Sequence, residues 1–95
     1  MIEVKILGYH SAQRYAIRQK LVAVQRLFHG ETPGLRLSIS ELRSWVEIEP
    51  YTPVLSAPSL VVNEKLVCVG RIPSREEIIT WIREAVDVKP GIALT

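Results

Sequence analysis

Apolar and polar positions alternate at the start of the chain, where Ile2, Val4 and Ile6 are separated by Glu3 and Lys5 and followed by Gly8. A period of two is the mark of a half-buried strand, so these residues predict a short strand over 2–7 that ends at a turn. From Ser11 the period lengthens. Ile17, Leu21, Val24 and Phe28 recur at steps of four, three and four, which places one apolar stripe on a helix that Gly30 can terminate. Gln19 and Arg26 fall on the opposite face of that helix, with Arg18 and Gln25 on its flank.

Pro33 and Gly34 mark a turn, and Leu35, Leu37 and Ile39 alternate with Arg36 and Ser38 as a second half-buried strand. Ser40 is placed to cap a short helix whose buried side would be Leu42, Trp45 and Val46, and Pro50 and Pro53 forbid a long continuation. Residues up to Ala57 then read as an irregular loop. Leu60, Val61 and Val62 form a continuous apolar run, as in a strand covered on both faces, and Asn63 and Glu64 turn the chain into Leu66, Val67, Cys68 and Val69. These two runs predict an antiparallel hairpin. Beyond Gly70, Ser74 and Glu77 have the spacing of a capping box, and Ile78, Ile82 and Ala85, with Ile79 and Val86, supply the apolar stripe of a last helix. Residues 87–95 carry Pro90 and Gly91 without periodicity and are expected to be a tail, poorly ordered unless a partner holds it.

The expected order is therefore β-α-β-α-β-β-α, an α/β fold in which a parallel strand-helix-strand unit and a hairpin combine into a four-stranded mixed sheet flanked by helices. Its 95 residues suit one domain, placed at 1–86. Composition adds exclusions. With 47% hydrophobic and 23% charged residues the chain has the balance of a folded soluble domain. No apolar run approaches the roughly 20 residues that cross a bilayer, and the alternating start is unlike a secretory leader, so no membrane partner and a cytoplasmic location are expected. A net charge of +2 is small, although residues 9–30 carry Arg14, Arg18, Lys20 and Arg26 and no acid. That basic run fits either a solvated face or an acidic partner, and the scarcity of aromatic residues beside it argues against nucleic acid. Cys68 is the single cysteine, so one chain can form neither an internal disulfide nor a thiolate zinc cluster. His10 and His29 lack metal-ligand spacing. No cofactor and no metal are expected.

Three stretches resemble the small thioredoxin-like, glutaredoxin-like redox-active disulfide proteins. The first strand ends Val4, Lys5, Ile6, Leu7, Gly8 and runs into the first helix, where that family places its Cys-X-X-Cys. Ser56, Ala57, Pro58, Ser59, Leu60, Val61, Val62 and Asn63 are similar to the family's Ser-Thr-Pro-Ala-Leu-Val-Ile-Asn, and Val69 to Ser74 is similar to its Gly-Arg-Val-Pro-Ser entry to the last helix. The resemblance implies a thioredoxin-like fold and a cis-proline at Pro58. It also exposes a departure: the family's two cysteines fall on Ser11 and Arg14. A serine hydroxyl cannot form the mixed disulfide through which thiol exchange runs, so dithiol-disulfide oxidoreductase activity is not expected of this chain. Cys68, in a strand away from a helix N-terminus, reads as a small buried hydrophobe.

What remains is a helix start with free amides and partial positive charge. Ser11 either caps that helix or joins His10, Arg14 and the proline loop in holding a carboxylate, a phosphate or an extended peptide. In thioredoxin-like proteins the backbone beside the cis-proline pairs with extended peptides or glutathione, and the resemblance extends this to Ala57 and Pro58. Tyr9, before the helix, and Tyr51, among the prolines, would add a partner surface if exposed beside Pro58. A Ser11–His10 catalytic pair is disfavoured, because adjacent side chains point apart and no acid orients the imidazole. The expectation is a non-catalytic binding module for a protein, a peptide or a small ligand, or a homodimer, with Tyr9, His10, Ser11, Arg14, Tyr51, Ala57 and Pro58 around the groove. The alternative is a thiol-related enzyme, either glutathione-dependent or a monothiol oxidoreductase acting through Cys68.

Overall fold

The computed structural model describes residues 1–32, 34–52 and 57–87. Its elements run β1 (Ile2–Leu7), α1 (Ser11–Glu31), β2 (Leu37–Leu42), α2 (Trp45–Ile48), β3 (Ser59–Val62), β4 (Lys65–Val69) and α3 (Arg75–Asp87). This is the expected β-α-β-α-β-β-α order. The sheet runs β2-β1-β3-β4, with β1 parallel to β2 and antiparallel to β3, and β3 antiparallel to β4. Pro33, residues 53–56 and residues 88–95 lie outside the described residues, and with them the turn expected at Pro33, Pro53 and Ser56 of the expected loop, and most of the expected tail.

The two faces of the sheet carry different cores. Ile2, Val4 and Ile6 of β1 meet Ile17, Leu21, Val24 and Phe28 of α1 and Ile78 and Ile82 of α3. Leu7 and Val61 meet Ile48 of α2 on the other face, with Tyr51 and Leu66 packed alongside. β3 is buried at all four positions, because the two cores cover it from both sides. Burying each such aliphatic side chain contributes roughly 1.5–3 kcal/mol, which is why one stripe on α1 suffices to fix the helix on the sheet.

Local signals account for the turns. Asn63 and Glu64 adopt φ of 48° and 67°, the left-handed pair of a tight hairpin turn between β3 and β4. At the start of α3, the Glu77 carboxylate accepts from the Ser74 N–H at 2.9 Å and the Ser74 hydroxyl accepts from the Glu77 N–H at 3.2 Å, the capping box read from the spacing. Hydrogen bonding to the Arg71 guanidinium, followed by the Ser74 amide, pulls the Glu77 pKa down to about 2.

Four expectations need correction. Gly30 does not end α1: the helix continues to Glu31, and the Thr32 N–H closes it on the Phe28 carbonyl at 2.7 Å. Ser11 is the first helical residue instead of the cap, which is His10, and no side chain caps this terminus. β2 reaches Leu42, so Ser40 is a strand residue, and the one-turn α2 is capped by Ser44 with Glu47. Trp45 and Val46 are 53% and 76% exposed, whereas Ile48 is buried. A helix of one turn buries one side chain, and β2 takes the register that seats Leu42 opposite Leu7.

Because Leu21 is fully buried between helix and sheet, Leu21→Ala should lower unfolding stability by roughly 2–5 kcal/mol, read as an earlier urea midpoint with an unchanged slope.

Candidate functional site

The first helix starts at the carboxyl ends of the two parallel strands. The Gly8 N–H donates to the Leu42 carbonyl at 3.1 Å, tying the exits of β1 and β2 together. The His10 carbonyl accepts from the N–H groups of Gln13 and Arg14 at 3.1 and 3.2 Å, which starts α1. The Cα of Gly8 faces both Arg14 and Pro58: a Cβ there would lie 3.5 Å from Arg14 Cγ and 3.7 Å from Pro58 Cβ. The Ala57–Pro58 peptide bond is cis, Pro58 is buried, and Ser59 opens β3 beside Leu7. Six of the seven residues singled out in the sequence, Tyr9, His10, Ser11, Arg14, Ala57 and Pro58, thus gather at one end of the sheet.

Arg14 has an unexpected surrounding. It is 8% exposed, its Nη1 donates to the Gly8 carbonyl at 3.0 Å, and its Nε donates to Glu41 Oε1 at 2.9 Å. Arg18, one turn further along α1, donates from Nε to Glu41 Oε2 at 2.7 Å. The Arg18 and Arg14 guanidinium groups together hold the Glu41 carboxyl below its ordinary range. Where the resemblance puts a second cysteine, the molecule has a buried cation whose donors are committed to a strand carboxylate and a loop carbonyl. Arg14 is a strut, and little of its guanidinium faces solvent to receive an anion.

The exposed members at this end are Tyr9, at 39%, with His10 and Ser11. Tyr15 adds apolar surface, and an open depression of about 420 Å³ is bordered by Ser11, Ala12, Arg14, Tyr15 and Glu41. Tyr51 does not join them. Its ring packs with Leu7, Ile48 and Val61 on the opposite face, its hydroxyl accepts from Lys5 Nζ and donates to Glu64 at 3.1 Å, and the Lys5 ammonium lies 4.9 Å from the ring centroid. Hydrogen bonds to Glu64 and then Tyr51 push the Lys5 pKa up.

Cys68 belongs to the main core at 3% exposure, and its thiol donates to the Arg71 carbonyl at 3.4 Å. Burial pushes its pKa up, so less thiolate forms at neutral pH. Among the described residues no group of three or more His, Cys, Asp or Glu side chains could hold a metal ion, and no helix is long and apolar enough to cross a membrane.

A four-stranded mixed sheet with a helix between its parallel strands and a proline opposite that helix's start defines a thioredoxin-like α/β domain. A thioredoxin-domain family model matches residues 19–83, and the chain belongs to that family. No curated protein matches. The matched span begins beyond Ser11 and Arg14, and the single cysteine leaves no Cys-X-X-Cys anywhere in the chain.

Reasoning from sequence overlooked Glu41 at this end. Glu41 had a signal: it follows Leu37 and Ile39 at the strand period, on the side that faces α1, where a carboxylate needs a cation.

Two outcomes follow from this geometry. Glu41 has its pKa lowered on folding, so its contribution is fully present above the unfolded value of 4.5 and is lost as pH falls through the folded value. Glu41→Gln should therefore cost about 2 kcal/mol near neutral pH, and the gap to the unaltered protein should close on acidification below about 4.5 in urea titrations. Cys68 should resist an aromatic disulfide reagent in the native protein and react fully once denatured, whereas rapid native labelling would place the thiol at the surface.

Proposed function

We propose that this thioredoxin-family chain is a non-catalytic binding module that takes a protein partner on the face formed by Tyr9, His10, Ser11, Ala57 and Pro58. One observation carries the reading: Arg14 fills the position from which the family's resolving thiol would act and is bound into the Gly8 carbonyl and Glu41. The fold's loop geometry is kept while the group that would perform exchange is replaced by a structural one. Thiol exchange needs a thiolate nucleophile and a resolving partner, and the buried Cys68 offers neither.

The exposed residues at this end favour a macromolecular partner over a small ligand. The depression beside Ser11 is open, and aromatic surface from Tyr9 and Tyr15 is the kind that anchors protein interfaces. The monothiol alternative has no supporting geometry, since the Cys68 sulfur is enclosed between β4 and α3. The proposal includes a cytoplasmic location, where a lone thiol stays reduced.

The test pairs an activity with a contact map. Insulin reduction coupled to a thioredoxin reductase should stay at the uncatalysed background. A photo-crosslinking side chain placed at position 9 should give discrete adducts in host extract, while the same probe at Arg75, at the start of α3, should give none. Reduction above background, or adducts independent of the probe's position, would contradict the proposal.

A further inference from the structure

We propose a second interaction surface, independent of the face just described: the outer edge of β2, with the basic flank of α1 beside it, receives an extended acidic segment of a partner protein as a fifth strand. The sheet order leaves β2 and β4 as edges. They are guarded differently. β4 carries Lys65 at an exposed position, and its pairing with β3 shifts register between Leu60 and Val61, two devices that discourage strand addition. β2, with the sequence Leu-Ser-Ile-Ser-Glu-Leu, pairs with β1 in unbroken register over six residues and has no lysine, proline or shift.

The direction of its free groups can be read from its ends. The Ile2 N–H donates to the Arg36 carbonyl at 2.9 Å and the Gly8 N–H to the Leu42 carbonyl at 3.1 Å, so even-numbered residues of this strand turn their backbone groups toward β1. By the strand period, Leu37, Ile39 and Glu41 turn theirs outward. Among the described residues no strand pairs with that edge.

Charge supplies the occupant. α3 lies on one side of α1, where Arg83 bridges Glu31 at 3.4 Å and sits over Phe28. Arg18 reaches Glu41 on the other side, above β2, and Val22, Gln25 and His29 continue that flank along the helix, where with Arg26 of the outward face they border a second open depression of about 420 Å³. Residues 9–30 contain no acid, and Glu41 is already shared by two arginines. A strand added to β2 would turn every second side chain toward this flank, so one acid meets Arg18 and the next ones along face the depression that Arg26 borders. A second copy of the chain is the poorer occupant, because antiparallel pairing of two β2 edges brings two basic flanks together.

Amide hydrogen exchange on the full chain tests this, using an alternating Glu-Thr peptide of about ten residues and its Lys-Thr counterpart. The acidic peptide should slow the amides of Leu37, Ile39 and Glu41 by about tenfold or more and leave Ser38 and Ser40, already bonded to β1, unchanged. Arg26→Glu combined with His29→Glu, both exposed positions, should weaken that binding by about tenfold or more without altering the circular dichroism. Equal protection by the lysine peptide, protection at Tyr9 and Ser59 instead, or protection that grows with protein concentration alone would each overturn the assignment.

Discussion

A carboxylate on the helix-facing side of a strand is the constraint around which the first half of this molecule is arranged. Glu41 follows Leu37 and Ile39 on the side of β2 that faces α1, largely buried at the border of the depression beside Ser11 and Tyr15. An unpaired charge there costs several kcal/mol, so two guanidinium groups are drawn onto it from successive turns of α1. Arg14, once placed, also reaches the Gly8 carbonyl and thereby fixes the loop that joins β1 to α1. One ion cluster thus sets the seat of the helix, the exit of both parallel strands and the approach of the chain to Pro58.

That cluster also bears on function. In a fold whose helix start commonly carries thiol chemistry, the space beneath the first turn is taken up by a charged strut. Arg14 and Arg18 direct their donors to Glu41 and the Gly8 carbonyl and not to a nucleophile at the helix start. What the helix start still presents is surface: Tyr9, His10 and Ser11, with the exposed ring of Tyr15 one turn along the helix. The proposed binding role asks of this surface shape and exposed apolar area and not a tuned pKa.

Much of the fold was legible before any coordinates, because its periods are clean. β1, the stripe of α1, the doubly covered β3, the hairpin turn and the Ser74–Glu77 cap follow from local rules that the tertiary structure does not override. The misreadings cluster between Ser40 and Val46, where local and long-range preferences compete. Ser40 can cap a helix, yet pairing of Leu42 with Leu7 extends β2 through it and moves the cap to Ser44. Trp45 and Val46 look like core by composition, but a one-turn helix has room to bury Ile48 alone. At the site, the residues adjacent in sequence or tied by the proline loop were recoverable. Tyr51 was not, since its place depends on Lys5 and Glu64, contacts 46 and 13 residues away that no local pattern encodes.

The claim that Arg14 is a structural strut is tested most directly by a double-mutant cycle in urea on Arg14→Met, Glu41→Gln and the pair. Direct coupling predicts that the pair loses less stability than the two single changes together, by about 1.5 kcal/mol or more at neutral pH. Additive losses would mean that the two side chains act separately, and the account of this helix start as a load carried by one ion cluster would be wrong.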